Sequence, residues 1–281
     1  MAHCIVPAAE EILDKEFPVL DKGFIRLVDY LGSDERIVQA ARVSYGQGTK
    51  TVREDRGLIF YLLRNEHTSP FEQVVLTFHV KLPIFVARQW IRHRTARVNE
   101  ISGRYSILKD EFYLPDPSDI AAQSTDNKQG RAGEPVPEEV SREVLAAIQA
   151  EQGRAYEVYT KFISMGLARE LARIILPLCL YTEWYWQIDL HNLMHFLRLR
   201  MDPHAQKEIR LYAEKLFDIT RIVCPIAMEA FEEYSLTGVS FSGKEREALT
   251  SLLAGVNIEN CGLEGKELER FKEKLRLGNG G

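Results

Sequence analysis

Residues 92–106 read Arg-His-Arg-Thr-Ala-Arg-Val-Asn-Glu-Ile-Ser-Gly-Arg-Tyr-Ser, and they hold most of the chain's concentrated chemistry. Four arginines, one histidine, an asparagine, a glutamate and two serines fall there, and Arg88 adds a fifth guanidinium just upstream. Guanidinium forks match phosphate and carboxylate oxygens two at a time and stay charged at any working pH. The run from Val74 to Trp90 ahead of them is strongly apolar, so the charges stand at the edge of a core. Such a segment suits an anion with several phosphates or carboxylates. A cationic helix end, complementing the dipole, also accounts for the first residues. It does not account for Asn99, Glu100, Ser102 and Arg104, which lie past that end and mix donors with an acceptor.

A second group follows at Asp189, His191, His195, Arg200, Asp202 and His204. His191 and His195 lie four apart and share a helix face. Three readings stand open: metal ligation completed by His204 or Asp202, hydrogen bonding at a helix end, or contact with a cofactor or substrate. The glutamate of an HExxH zinc motif is absent, because residue 192 is asparagine. Neither a GxSxG elbow, a GxGxxG turn nor a P-loop occurs. The only adjacent histidine and cysteine, His3 and Cys4, stand at the terminus.

The elements that position these groups follow from periodicity. Strands are expected over Gly23–Tyr30 and Val74–Lys81. Helices are expected from Asp34 (or Ser33) to Ala41, over Asp55–Asn65, from Pro83 to the arginine segment, and over Val140–Met165, Leu167–Leu176 and Tyr181–Arg200. A last long helix, Lys207–Tyr234, should kink at Pro225. Residues 92–104 read as a charged loop, Tyr105–Leu114 as extended chain, and Pro115–Pro137 as a long surface loop. Two short helical stretches around a polar turn follow Thr237, and the final Gly-Asn-Gly-Gly reads as frayed.

With 281 residues, 45% of them hydrophobic, the chain can bury a substantial core. It reads as a single domain over 1–281, with a core of about 22–236 and a C-terminal extension over 237–281. A net charge of −5 argues against a nucleic-acid partner. Four scattered cysteines, with no CxxC pair, fit free thiols in a cytoplasmic setting. No signal peptide is expected from the N-terminus, and no unbroken apolar run is long enough to span a membrane.

Arg92-His93-Arg94, seven residues, then Ser102 resembles the RHRx7S signature of the flavin-dependent thymidylate synthases. Ser69-Pro70-Phe71-Glu72 before it and Arg200-Met201-Asp202-Pro203-His204-Ala205-Gln206 after it resemble family blocks in the same order, so the likeness runs from about Lys22 to Tyr234. The resemblance implies an α+β fold, an antiparallel sheet flanked by long helices, and a homotetramer whose active sites draw on several subunits. It implies reductive methylation of dUMP to dTMP, with methylenetetrahydrofolate as carbon donor, FAD as hydride carrier and NADPH as reductant, without a cysteine nucleophile.

By matching position, Gln89, Arg92, Glu100, Ser102, Gly103, Arg104, Arg173 and Arg200 are expected to line the dUMP site, with Arg200 at the uracil as the catalytic group. Flavin contacts are expected from His67, Ser69 and Glu72, from Arg92, His93, Arg94, Asn99 and Glu100, and from Asp189, His191 and His195. No metal is expected. His67 and Tyr105 are placed near the folate or nicotinamide. Arg97 departs from the family, which commonly has serine there, and adds a cation inside the signature. The tail past Thr237 and the loop around Asn127 lie outside the resemblance.

Overall fold

Two long runs of alternating side chains meet at the centre of the protein. The structure is a computed structural model that describes residues 4–43, 52–125 and 130–275, without the side chains of 52–54. His3, Asn127 and the last four residues therefore lie outside the described residues. The chain opens with α1 (Pro7–Glu10), β1 (Phe17–Val19), β2 (Gly23–Leu31), α2 (Asp34–Arg42) and α3 (Val52–Arg64). Then come β3 (Val75–Pro83), α4 (Ile84–Trp90), β4 (Arg97–Glu100), a small hairpin of β5 (Ala121–Gln123) and β6 (Arg131–Pro135), and the 27-residue α5 (Glu138–Ser164). The short α6 (Arg169–Ala172) leads to β7 (Tyr181–Asp189), α7 (Leu190–Arg200), α8 (Lys207–Val223) and α9 (Pro225–Phe231).

The main sheet is antiparallel throughout, in the order β1-β2-β3-β7-β4. Residues Met1–Ala230 form one compact unit. The other unit, Phe231–Gly281, has its own small core of Ala248, Cys261, Leu263, Leu268 and Phe271. Its two helices, α10 (Gly243–Leu253) and α11 (Gly265–Lys274), were expected, and a Ser242–Glu245 capping box starts the first of them.

The largest correction concerns Tyr181–Arg200, which is not one helix. Tyr181–Asp189 is a strand pairing with β3 from Val75↔Asp189 to Pro83↔Tyr181, and the helix begins only at Leu190. The apolar stripe of Leu190, Leu193, Met194 and Leu197 is real. Upstream of it, Trp184, Trp186 and Ile188 are buried while Glu183, Tyr185 and Gln187 are more open, which is the period-2 pattern of a half-buried strand. Asp189 makes the switch: its carboxylate caps α7, accepting from Asn192 N at 2.9 Å and Asn192 Nδ2 at 2.8 Å.

Smaller corrections follow the same logic. Residues 97–100 form a strand rather than loop, because backbone pairing to β7 organises four exposed residues that carry no apolar pattern. Residues 105–114 form no regular strand: a turn at Tyr105 gives way to irregular chain whose one antiparallel bridge joins Phe112 to Leu180. The 115–137 segment contains the β5–β6 hairpin. Leu167–Leu176 holds one α turn followed by a 3-10 turn, Arg173–Ile175. Pro225 breaks the last long helix outright, since it removes a donor and α9 starts anew there.

Asp34 does not cap its own helix. Its carboxylate accepts from Ile226 N at 2.8 Å and Ala227 N at 2.9 Å, so it caps the start of α9 instead. Burial costs the charged form more than those two donors recover, and the carboxyl is pushed up to about 6. The folded state thus holds this proton more tightly than the unfolded chain, where a carboxyl titrates near 4. The resulting stabilisation is fully present below about pH 4 and is lost as pH rises through about 6. We predict that Asp34→Asn, which cannot ionise, gains on the parent by on the order of 3 kcal/mol between pH 4 and 7. Urea midpoints of both proteins at the two pH values measure this, and a gap that stays constant contradicts it.

Candidate active site

The inner face of the sheet closes over Trp90, the last residue of α4. Its ring packs against Trp186 (centroids 5.1 Å), Trp184 (5.8 Å), Phe196 of α7 (4.8 Å) and Tyr212 of α8 (5.9 Å). Two residues later the arginines begin, so the charged segment is tied directly to this packed aromatic cluster. Arg92, His93, Arg94 and Thr95 turn out of α4 and line a cavity of about 420 Å³. Ile188, Asn192, His195, Leu199 and Arg200 close its other side.

Arg200 and His93 define that cavity's electrostatics. Arg200 Nε donates to His93 Nε2 at 3.0 Å, and Arg200 Nη2 donates to the Gln89 carbonyl at 3.3 Å. Burial, then the Arg200 charge and then His195 push the His93 imidazole down to about 4. It is therefore neutral at physiological pH, with Nε2 accepting and the proton on Nδ1. The His195 ring lies 5.9 Å from it, and burial followed by Arg198 and His191 lowers His195 as well. Arg200 thus meets two acceptors, which fix its fork while the charge itself stays unneutralised by any carboxylate among the described residues.

A second set of expected residues gathers around the turn after β4. Ser102 Oγ accepts from Arg104 N at 3.3 Å, and Arg104 pairs with Glu170 at 3.2 Å. Gly103 is needed for close approach, since a Cβ there would stand 3.1 Å from Arg173 Cδ and 2.9 Å from Leu108 Cδ1. Glu100 is held by Thr182 Oγ1, which donates at 2.6 Å. Asn99 lies exposed on β4. The third set, His67, Ser69 and Glu72, is exposed in the turn before β3, where residues 71–73 pack on α7, the helix that carries His191 and His195. Among the described residues no hydrogen bond or ion pair joins the Arg200 set to the Arg104–Arg173 set.

Both carboxylate oxygens of Asp189 are engaged in the α7 cap, a structural task the sequence did not reveal. Arg97 is exposed and lines a different cavity, of about 440 Å³, with Asp29, Thr77 and Gln187 on the open face of the sheet. Asn192 and Thr95 line the cavity and Gln206 meets Gln89, and none of the three carries a motif role. Gln206 Oε1 accepts from Gln89 Nε2, and only its place in the Arg200–Gln206 block could have drawn attention to it. Tyr105 is exposed beside Arg104.

The alternatives can be placed against this geometry. His204 turns to Asp202, with Nδ1 to Oδ1 at 2.9 Å, and among the described residues no group of three or more His, Cys, Asp or Glu is placed to hold a metal. Cys224 is wholly buried, and burial pushes its thiol well up, so it is no nucleophile. No helix among the described residues is long and apolar enough to cross a membrane.

Comparison with known proteins identifies the family. Residues 26–226 match the family model described as thymidylate synthase complementing protein, and residues 239–279 match that of the thymidylate synthase ThyX C-terminal domain. The tail past Thr237, which the resemblance had left aside, thus has a family counterpart. The flavin-dependent thymidylate synthase of Treponema denticola is 68% identical over 266 residues, covering 95% of this chain and 99% of that protein. That of Treponema pallidum is 63% identical over 278 residues, covering 99% and 90%. Among solved structures, the UMP/dUMP methylase PolB from Streptomyces cacaoi bound with 5-Br dUMP superposes with a TM-score of 0.72 at 33% identity, covering 79% of this chain and 100% of that one. The chain belongs to the thymidylate synthase complementing protein family, the flavin-dependent thymidylate synthases.

Proposed function

We propose that this chain methylates dUMP to dTMP reductively, with the carbon drawn from methylenetetrahydrofolate, FAD carrying the hydride and NADPH supplying it. The observation that carries the reading is Arg200, fixed by neutral His93 and the Gln89 carbonyl at a cavity that Arg92 and Arg94 also line. The names of the relatives and the brominated dUMP held by the structural neighbour point to the same substrate.

The donor set suits FAD. Arg92 and Arg94 offer forks for pyrophosphate oxygens, and the uncharged His93 offers a flat ring that does not repel them. His195 and His191 extend this wall along α7. Asn99 and Glu100 on β4, with His67, Ser69 and Glu72 before β3, complete the flavin contacts. Asp189 serves the flavin through the cap that sets the first turn of α7. When bound, FAD supplies hydride transfer, and the protein supplies orientation and field.

The nucleotide is held from two sides. Arg104 and Arg173 bind the phosphate, with Ser102, Gly103 and Glu100 along the turn and strand beside it. Gln89, Arg92 and Arg200 approach from the other set. Hydride addition to the uracil-derived carbon skeleton places negative charge on a ring carbonyl, and a preset guanidinium shielded from water stabilises that charge without reorganising. Arg200 does this.

The chain acts as a homotetramer, in which the Arg104–Arg173 set of one subunit completes the Arg200 set of another. Support comes from the lack, among the described residues, of any hydrogen bond or ion pair between the two sets within one chain, and from the apolar residues flanking the second. Ile174 is 76% exposed, Tyr105 75% and Leu178 63%, with Leu171, Ile101 and Ile107 also open. A reducing, cytoplasmic setting suits the four free thiols.

Arg200→Ala should keep FAD while dTMP formation at saturating substrate falls by roughly 10²–10³-fold, the scale for losing one fixed electrostatic contact. Unchanged turnover removes Arg200 from the mechanism. Arg104→Ala should weaken dUMP binding by about 10–100-fold, the loss of a charge-assisted contact, and leave FAD affinity alone. Parallel losses for both ligands would mean that Arg104 holds the fold and not the phosphate.

A further inference from the structure

Strand β4 is exposed at every position, so packing alone does not order the long side chain of Glu100. Its backbone is nonetheless well held. Glu100 pairs with Trp184 of β7, and Ile101 N, one residue past the strand, donates to the Glu183 carbonyl at 2.9 Å. Alternate residues of a strand share a face, so Glu100, Trp184 and Thr182 all point to the inner side of the sheet. In this antiparallel register Thr182 lies further along the direction in which β4 runs, level with the start of the Ser102–Arg104 turn. Across that diagonal Thr182 Oγ1 donates to Glu100 Oε1 at 2.6 Å. Among the described residues this is the only hydrogen bond or ion pair of the Glu100 side chain.

The donor is better fixed than the acceptor. Thr182 is 5% exposed, pairs with the wholly buried Leu82 of β3, and as a β-branched residue has little freedom about χ1. A threonine hydroxyl carries one proton and a carboxylate only accepts, so the direction of the bond is settled. The carboxylate offers about four acceptor positions and uses one here, so it remains a strong acceptor for a ligand. What the bond removes is rotamer freedom, and it draws the carboxylate forward, towards the turn that carries Ser102 and Arg104. A carboxylate beside a dianionic nucleotide repels it, and a short hydrogen bond from a neutral donor offsets that repulsion. Such a bond is best made by an acceptor already in place when the nucleotide arrives.

We infer that Thr182 is a positioning residue that presets the Glu100 carboxylate as acceptor for a neutral hydrogen donor of the nucleotide, the sugar 3′-hydroxyl or the uracil imide N–H. One buried hydroxyl thereby extends the order of β7 to an exposed side chain. Without it, Glu100 is a mobile surface group that dUMP has to order on binding. The same strand carries Trp184 and Trp186, which pack on Trp90, so this acceptor and the arginines after α4 share one support.

The inference rests on Glu100 contacting dUMP, and a double-mutant cycle separates the two claims. Thr182→Val removes the hydroxyl and keeps the shape, whereas Thr182→Ser keeps the hydroxyl. These two, Glu100→Ala, and the double variant of Thr182→Val with Glu100→Ala are compared as FAD-loaded protein. The readouts are the dUMP dissociation constant, kcat at saturating dUMP, and FAD affinity. Thr182→Val should weaken dUMP binding about three- to tenfold, the cost of ordering one freed side chain. Its kcat should stay within about twofold, because the loss falls on binding and not on the transition state alone. Thr182→Ser should bind dUMP as the parent does, and in the Glu100→Ala background Thr182→Val should add nothing. Parental dUMP affinity in Thr182→Val, beside a weakened Glu100→Ala, overturns the inference. So does a loss that persists in full in the double variant, that Thr182→Ser shares, or that falls on FAD rather than dUMP. If Glu100→Ala itself binds dUMP as tightly as the parent, the nucleotide contact assigned to Glu100 is wrong and the inference falls with it.

Discussion

Trp90 is the constraint on which the site depends. It fills the space between the inner face of β3–β7 and the helices α7 and α8, meeting Trp184, Trp186, Phe196 and Tyr212. Edge-on and tilted rings at these separations are the favoured aromatic geometry, and removing such a side chain typically costs about 3–5 kcal/mol. Among the described residues the buried indole N–H groups of Trp90 and Trp184 meet no acceptor, a cost the packing outweighs. Because α4 ends at Trp90, the position of Arg92, His93 and Arg94 is inherited from this packing. Arg200 arrives from the same cluster, four residues beyond Phe196, so the two halves of its cavity share one support.

Charge is then handled by local neutrality. The whole chain carries −5, yet its cavity gathers Arg92, Arg94 and Arg200. His93 would add to that repulsion if it were protonated. Burial and Arg200 instead keep it neutral, so it becomes the acceptor that holds the guanidinium. The neighbouring carboxylates have other partners: Glu100 accepts from Thr182, and Asp189 accepts from Asn192. The result is a cationic cavity that among the described residues holds no internal ion pair, suited to an anionic ligand.

Much of this was legible in the sequence, and the failures have physical causes. The β2 and β3 strands alternate cleanly, α5 shows helical spacing, and the arginine segment stands out by its charge before any resemblance is considered. The Tyr181–Arg200 error arose from a true helical stripe in the second half that masked alternation in the first. Only the Asp189 cap marks the boundary, and it reads equally well as a site residue. Strand β4 is exposed at every position, so its existence depends on pairing with a partner some ninety residues away in sequence. Likewise Asp34 reads as the cap of its own helix, whereas it caps another 192 residues on. Contacts between distant polar side chains, such as Gln89 with Gln206, leave no periodic trace.

The central claim is that this cavity turns over dUMP through a bound flavin. The most direct test is the absorption spectrum of the FAD-loaded protein, reduced by NADPH without air and then mixed with dUMP and methylenetetrahydrofolate. The account predicts that the bleached flavin bands return only when both substrates are present, in step with dTMP. Protein that cannot be loaded with FAD, or flavin bands that return without dUMP and without dTMP, would contradict it.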